Sequence, residues 1–131
     1  MKPGTLEWIR CAEEDFAIAN LAFKSRTRKP TASAIGFHCQ QCVEKYLKAC
    51  LEEAGAHIPK IHSLSALLSL VLPAHPLWAA FNPSLLMLTN YAIKFRYPGH
   101  TATRADARAA LKACRSVRAE IRASQIGRAH V

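Results

Sequence analysis

The stretch Phe37-His38-Cys39-Gln40-Gln41-Cys42-Val43-Glu44-Lys45-Tyr46-Leu47-Lys48-Ala49 decides how this 131-residue chain folds. Extended over residues 33–54, it places Ile35, Cys39, Cys42, Val43, Tyr46, Leu47, Cys50, Leu51 and Ala54 at three- and four-residue steps. Those steps draw one apolar stripe along a helix. Gln40, Gln41, Glu44, Lys45, Lys48 and Glu52 lie largely off the stripe, and Gly55 stands where a left-handed C-cap would end the helix.

Outward from it, the other segments are helical too. Thr5 is the expected cap of a first helix reaching about Lys24, with Leu6, Ile9, Phe16, Leu21 and Phe23 among its apolar residues. Residues 24–30 are a basic connector closed by Pro30. After a loop around Pro59, residues 64–72 make a short apolar helix that Pro73 and Pro76 interrupt. Asn82-Pro83 reads as a helix start, with Asn as cap and Pro at the first helical position. That fourth helix, residues 85–95, halts at Arg96-Tyr97-Pro98-Gly99. Thr103 and Asp106 are spaced as a capping box for a last helix to about Ala123. No strand-like alternation occurs, so the expected fold is all-α, a four- to five-helix up-and-down bundle.

Composition narrows the classes without choosing an activity. Half of the residues are hydrophobic and 21% are charged, enough for a core and against disorder. Eighteen Lys and Arg against nine Asp and Glu leave a net charge of +9, which favours polyanionic partners. Nine of the basic residues and only two acids fall from Lys94 onward. On the last helix Arg104, Arg108, Lys112 and Arg115 form a stripe that Arg118 and Arg122 extend, opposite Ala110, Leu111, Cys114, Val117 and Ile121. Such a stripe either tracks phosphates or is simply a solvated face.

The first eight residues lack the apolar core of a secretory signal, and residues 65–81 fall short of the ~20 a bilayer span needs. Five cysteines form no evident disulfide framework, so a cytoplasmic protein without membrane association is expected. His38-Cys39-x-x-Cys42 invites a zinc reading, but no second such pair exists and both thiols fall on the apolar stripe. Packed thiols, with no metal and no cofactor, are expected.

The residue 37–49 stretch resembles the central helix of the HEPN family, whose pattern runs Phe-His-x-Gln-Gln-small-x-Glu-Lys-x-Leu-Lys-Ala. Trp8, Ala12, Asp15, Phe16 and Ala19 are similar to that family's first helix. Pro59-Lys60-Ile61-His62-Ser63-Leu64 is similar to its loop and third helix, and Leu88-Thr89-Asn90-Tyr91 with Arg96-Tyr97-Pro98-Gly99 to the end of its fourth. The resemblance implies a small helical domain, often homodimeric, that binds a nucleotide or RNA. It also implies a nucleotidyltransferase protein as partner, in a two-component, toxin-antitoxin-like module.

On this resemblance Arg96, Tyr97 and His100 are the expected ligand contacts, with Gln41 and Lys45 second and Lys48 third. Arg96 would meet phosphate, Tyr97 would stack or hydrogen-bond, and His100 would donate a hydrogen bond. His38 and His62 fit the family pattern as groups that pin loops and helix ends. The family's ribonucleases carry an Arg and, after four to six residues, a His, in two copies across a dimer cleft. Here only Tyr97-Pro98-Gly99 separates Arg96 from His100. A metal-independent ribonuclease using Arg96 and His100 therefore stays an alternative to binding without cleavage, as does a purely structural interaction subunit.

Ile126-Gly127-Arg128-Ala129-His130-Val131 reads as one translated frame of a sequencing-library adaptor. Residues 1–124 are thus the expected domain, and 125–131 the expected non-native tail. Resequencing the locus should yield a read that departs from this sequence at the tail; a genomic read continuing through it without adaptor would refute the expectation.

Overall fold

The computed structural model describes residues 1–25 and 32–124. Five α-helices follow in order: α1 (Pro3–Lys24), α2 (Ala32–Glu53), α3 (Leu64–Val71), α4 (Asn82–Lys94) and α5 (Arg104–Ala123). A short 3-10 helix, Pro76–Phe81, leads directly into α4. No strand occurs among the described residues. The tail at 125–131 lies outside them.

Helix α2 is the axis of the bundle, because α1, α3, α4 and α5 all pack against it. Its apolar stripe is enclosed as the spacing demands: Cys39, Cys42, Val43 and Tyr46 are fully buried. Burial goes further than a single stripe. Gln40, Glu44 and Lys48, which the periodicity puts off the apolar face, are at most 6% exposed. A helix surrounded by four neighbours has little solvated side left, so these polar groups need partners inside the protein. Ala54, by contrast, lies beyond the helix end and is exposed.

Local chemistry sets the helix ends. At the end of α2, Gly55 takes φ +71°, Ala56 N–H donates to the Leu51 carbonyl and Gly55 N–H to that of Glu52, each at 3.0 Å, the double bond of a Schellman cap. The Thr103–Asp106 capping box forms in full, with N–H···O distances of 2.8 and 3.1 Å. Ser63 caps α3 by accepting from Ala66 N–H at 3.2 Å.

Two expected caps do other work. Helix α1 starts two residues earlier than Thr5, at Pro3, whose fixed φ suits the first helical position. Thr5 is therefore inside the helix and fully buried, its hydroxyl donating to Glu53 Oε1 at 2.9 Å. Asn82 is helical because the 3-10 helix runs into α4 without a break. Its side chain instead accepts from the Ser65 hydroxyl at 2.8 Å, tying α4 to α3.

The approach of α4 to α2 depends on Gly36. A Cβ there would lie 1.9 Å from the Tyr91 ring, well inside contact distance. Tyr91 uses the space to reach across and donate to the Ala32 carbonyl at 2.8 Å. Helix α5 is joined to α1 and α2 by a carboxylate. Glu13 accepts from Arg118 Nε and Nη2 at 2.7 and 2.5 Å and from the Tyr46 hydroxyl at 2.6 Å. Arg122 lies 3.6 Å away and also donates to Tyr46 Oη.

Burial by itself would raise the Glu13 carboxyl, but hydrogen bonds from Arg118 and Tyr46, with the charges of Arg118 and Arg122, outweigh it and hold it below its ordinary range. A depressed folded value means that the stabilisation is complete above the unfolded value of about 4.3 and is lost as pH falls through the folded one. Glu13→Gln is expected to lower stability at neutral pH by about 1–2 kcal/mol, a figure discounted for partial solvent screening. The variant's acid limb in urea denaturation across pH should also be flatter. Wild-type stability at pH 7 in the variant would contradict this role.

Candidate functional site

Between α2, the start of α3 and α4 lies a groove of about 460 Å³. Phe37, Gln40 and Gln41 line it from α2, His62 and Ser63 from the loop, and Thr89, Ala92, Ile93 and Arg96 from the α4 side. Helical spacing explains the two walls. Residues 37, 40 and 41 stand three and four apart, as do 89 and 93, so each set shares a helix face, and Arg96 follows in the turn just past the end of α4. A second hollow of about 230 Å³ shares Phe37, Ala92 and Arg96 with the first and continues towards Ser33 and Tyr91.

The floor of the groove is a polar network. Buried Glu44 takes Lys48 Nζ at 3.2 Å, Gln40 Nε2 at 3.2 Å and His62 Nδ1 at 3.1 Å. Gln40 also donates to the His62 carbonyl at 3.2 Å and accepts from Gln41 Nε2 at 2.9 Å. Gln40 is consequently occupied on both its nitrogen and its oxygen and serves to hold the loop. A carboxylate only accepts, so the proton between His62 and Glu44 sits on Nδ1. The His62 side chain is 78% exposed. Lys48 Nζ also lies 5.7 Å from the centre of the Trp8 ring, which binds the network to α1.

Three groups in the groove have unused hydrogen-bonding capacity. Thr89 Oγ1 is shut off from solvent and has no hydrogen-bond partner. Gln41 Oε1 has no donor among the described residues. The Arg96 guanidinium, just beyond the end of α4, has neither a hydrogen bond nor an ion pair among them. A cation and an amide-bearing side chain therefore line one hollow beside the Phe37 ring, with the sealed Thr89 hydroxyl behind its wall. The arrangement suits an anion attached to a planar or polar body.

Arg96 and Gln41, both expected as ligand contacts, are brought together here. Lys45 stands one turn beyond Gln41 but does not line the groove: it donates to Asp15 Oδ2 at 2.5 Å, while His38 Nδ1 meets Asp15 Oδ1 at 2.7 Å. Both residues thereby pin α1 to α2. Lys48 is in the buried network beneath the groove. Tyr97, 59% exposed, and His100 lie in the turn after α4, which Gly99 opens at φ +89°, and neither lines the groove. The imidazole that shares the groove with Arg96 belongs to His62.

His62 and Thr89 were legible only in part. His62 is separated from Gln40 by a loop whose course no periodicity predicts. Thr89 carried little signal, since Arg96, seven residues on, is already past the end of α4. Cys39, Cys42 and Cys114 are all fully buried at the α2–α5 seam. Hydrogen bonding to Cys114, together with burial, pushes the first two far above the thiol range, so they stay protonated. Among the described residues no group of three or more His, Cys, Asp or Glu is arranged to hold a metal ion. No helix among them is long and apolar enough to cross a membrane.

Comparison with known proteins agrees with this architecture. The crystal structure of ST0689, an archaeal HEPN homologue, superimposes with a TM-score of 0.67 at 24% identity, over 96% of this chain and 99% of that one. No curated protein matches the sequence. The profile of the HEPN domain matches residues 5–124, which takes in all of α2 to α5 and nearly all of α1. With its fold and almost its whole length accounted for, the chain belongs to the HEPN domain family.

Proposed function

We propose that the groove between α2 and α4 binds the phosphate of a nucleotide or of RNA, and that the protein binds this ligand without cleaving it. The observation that carries the reading is the unpaired side chain of Arg96, which lines a hollow of about 460 Å³ together with Gln41 and His62. Elsewhere in the bundle the interior basic groups are neutralised: Arg118 by Glu13, Lys45 by Asp15 and Lys48 by Glu44. A cation left free beside a cavity is the one suited to an anionic guest.

In this reading Arg96 holds phosphate and Gln41 accepts from a base or sugar. Tyr97 and His100, on the following turn, contact whatever part of a longer ligand leaves the groove. Lys45 acts through the Asp15 pair, by keeping α2 in register with α1. Family membership supports the wider proposal of a cytoplasmic homodimer paired with a nucleotidyltransferase in a two-component module.

Calorimetric titration with mononucleotides and short RNA tests the groove. Removing one charge-assisted contact, worth about 1.5–3 kcal/mol, should weaken binding at least tenfold in Arg96→Ala. RNA incubated with the protein in EDTA should be recovered intact. Wild-type affinity in Arg96→Ala would overturn the proposal.

A further inference from the structure

The basic stripe of α5 divides into two parts with different fates. Arg118 and Arg122 lie against α1 and α2, and both reach the Glu13 carboxylate. Arg104, Arg108, Lys112 and Arg115 are exposed, and none of them pairs with a carboxylate among the described residues. Of the two acids on α5, Asp106 is engaged by the Thr103 cap and Glu120 pairs with none of the four. Four uncompensated cations therefore run along one edge of α5 over about 16 Å.

Two of the four are held in place without being neutralised. Arg104 stacks on the Phe23 ring at 4.1 Å and donates to the Phe23 carbonyl at 3.0 Å. Arg115 donates to Asn20 Oδ1 at 2.6 Å. Each such contact uses part of a five-donor guanidinium and leaves its charge intact. Arg108, 5.9 Å from the same Phe23 ring, and Lys112 complete the row. Holding these long side chains before a ligand arrives lowers the entropy lost on binding.

We infer that this edge of α5 is a second, sequence-neutral site that tracks the phosphate backbone of a nucleic acid strand. The choice of occupant rests on what the surface lacks as well as on its charge. Between the cations the exposed residues of α5 are small, Ala105, Ala109 and Ser116, and no large apolar side chain of α5 is exposed. A docked protein needs buried aromatic or aliphatic anchors, and an anionic membrane is gripped by inserted apolar groups. A phosphate chain needs only spaced cations and close approach. The inference is independent of the groove, which faces α3 and α4.

Fluorescence anisotropy with a labelled oligouridylate tests it, using Arg108→Ala/Lys112→Ala in the full chain. Both residues are exposed and free of ion pairs, so the thermal melt should match the wild type. Losing two phosphate contacts should make the slope of log K against log salt shallower by about 1.4 and weaken oligonucleotide binding about tenfold. Mononucleotide affinity should be unchanged in the same variant. Arg96→Ala is the complement: it should weaken mononucleotide binding and make the oligonucleotide slope shallower by only about 0.7, the share of one phosphate contact, so the failure of one site is distinguishable from that of the other. An unchanged slope in the double variant would overturn the inference, as would equally tight, equally salt-dependent binding of polyglutamate or of phosphatidylserine vesicles.

Discussion

The packing of four helices around α2 is the constraint from which the rest follows. A helix packed by four others cannot be amphipathic in the ordinary sense, because it has no broad solvated face. Its Gln40, Glu44 and Lys48 are inside, where an unpaired polar group costs about 1–3 kcal/mol. They are tolerated because they satisfy one another and capture the His62 loop. That capture sets the loop against α2 and so shapes one wall of the groove. Gly36 shapes the other, by letting Tyr91 and α4 come close. Packing and site are thus products of the same few residues.

Most of the fold was legible because helix-ending signals are local. Gly55 and the Thr103–Asp106 box act within a turn of themselves, and both do what their spacing predicts. Thr5 and Asn82 show where that reasoning stops. Each has the chemistry of a cap, yet each is inside a helix, because Pro3 and the 3-10 helix start those helices earlier. Their polar atoms then serve tertiary contacts with Glu53 and Ser65. For the site, the α2 motif and Arg96 marked the region, whereas the approach of His62 depends on a loop path that only three-dimensional packing determines. The turn bearing Tyr97 and His100 lies next to Arg96 in sequence, but an exposed turn after a helix end is not directed by that helix's face.

The arginines make the same point about charge. Counting them gives +9 and one continuous stripe, but the interior removes some from circulation. Glu13 takes Arg118 and Arg122, whereas among the described residues Arg96 at the groove and four residues on the edge of α5 have no carboxylate partner. Net charge predicts attraction to polyanions in general. Only the pattern of carboxylate partners tells which cations remain to act on it.

The claim at the centre of this account is that the polar face of α2, fixed by its own enclosure, holds the ligand against Arg96. Titrating isotopically labelled protein with a mononucleotide and following amide and side-chain NMR shifts tests it most directly. The largest changes should fall on Gln41, His62, Thr89 and Arg96, with Lys45 and His38 unmoved. Shifts centred on the Asp15–His38–Lys45 cluster, or confined to the turn around His100, would contradict it.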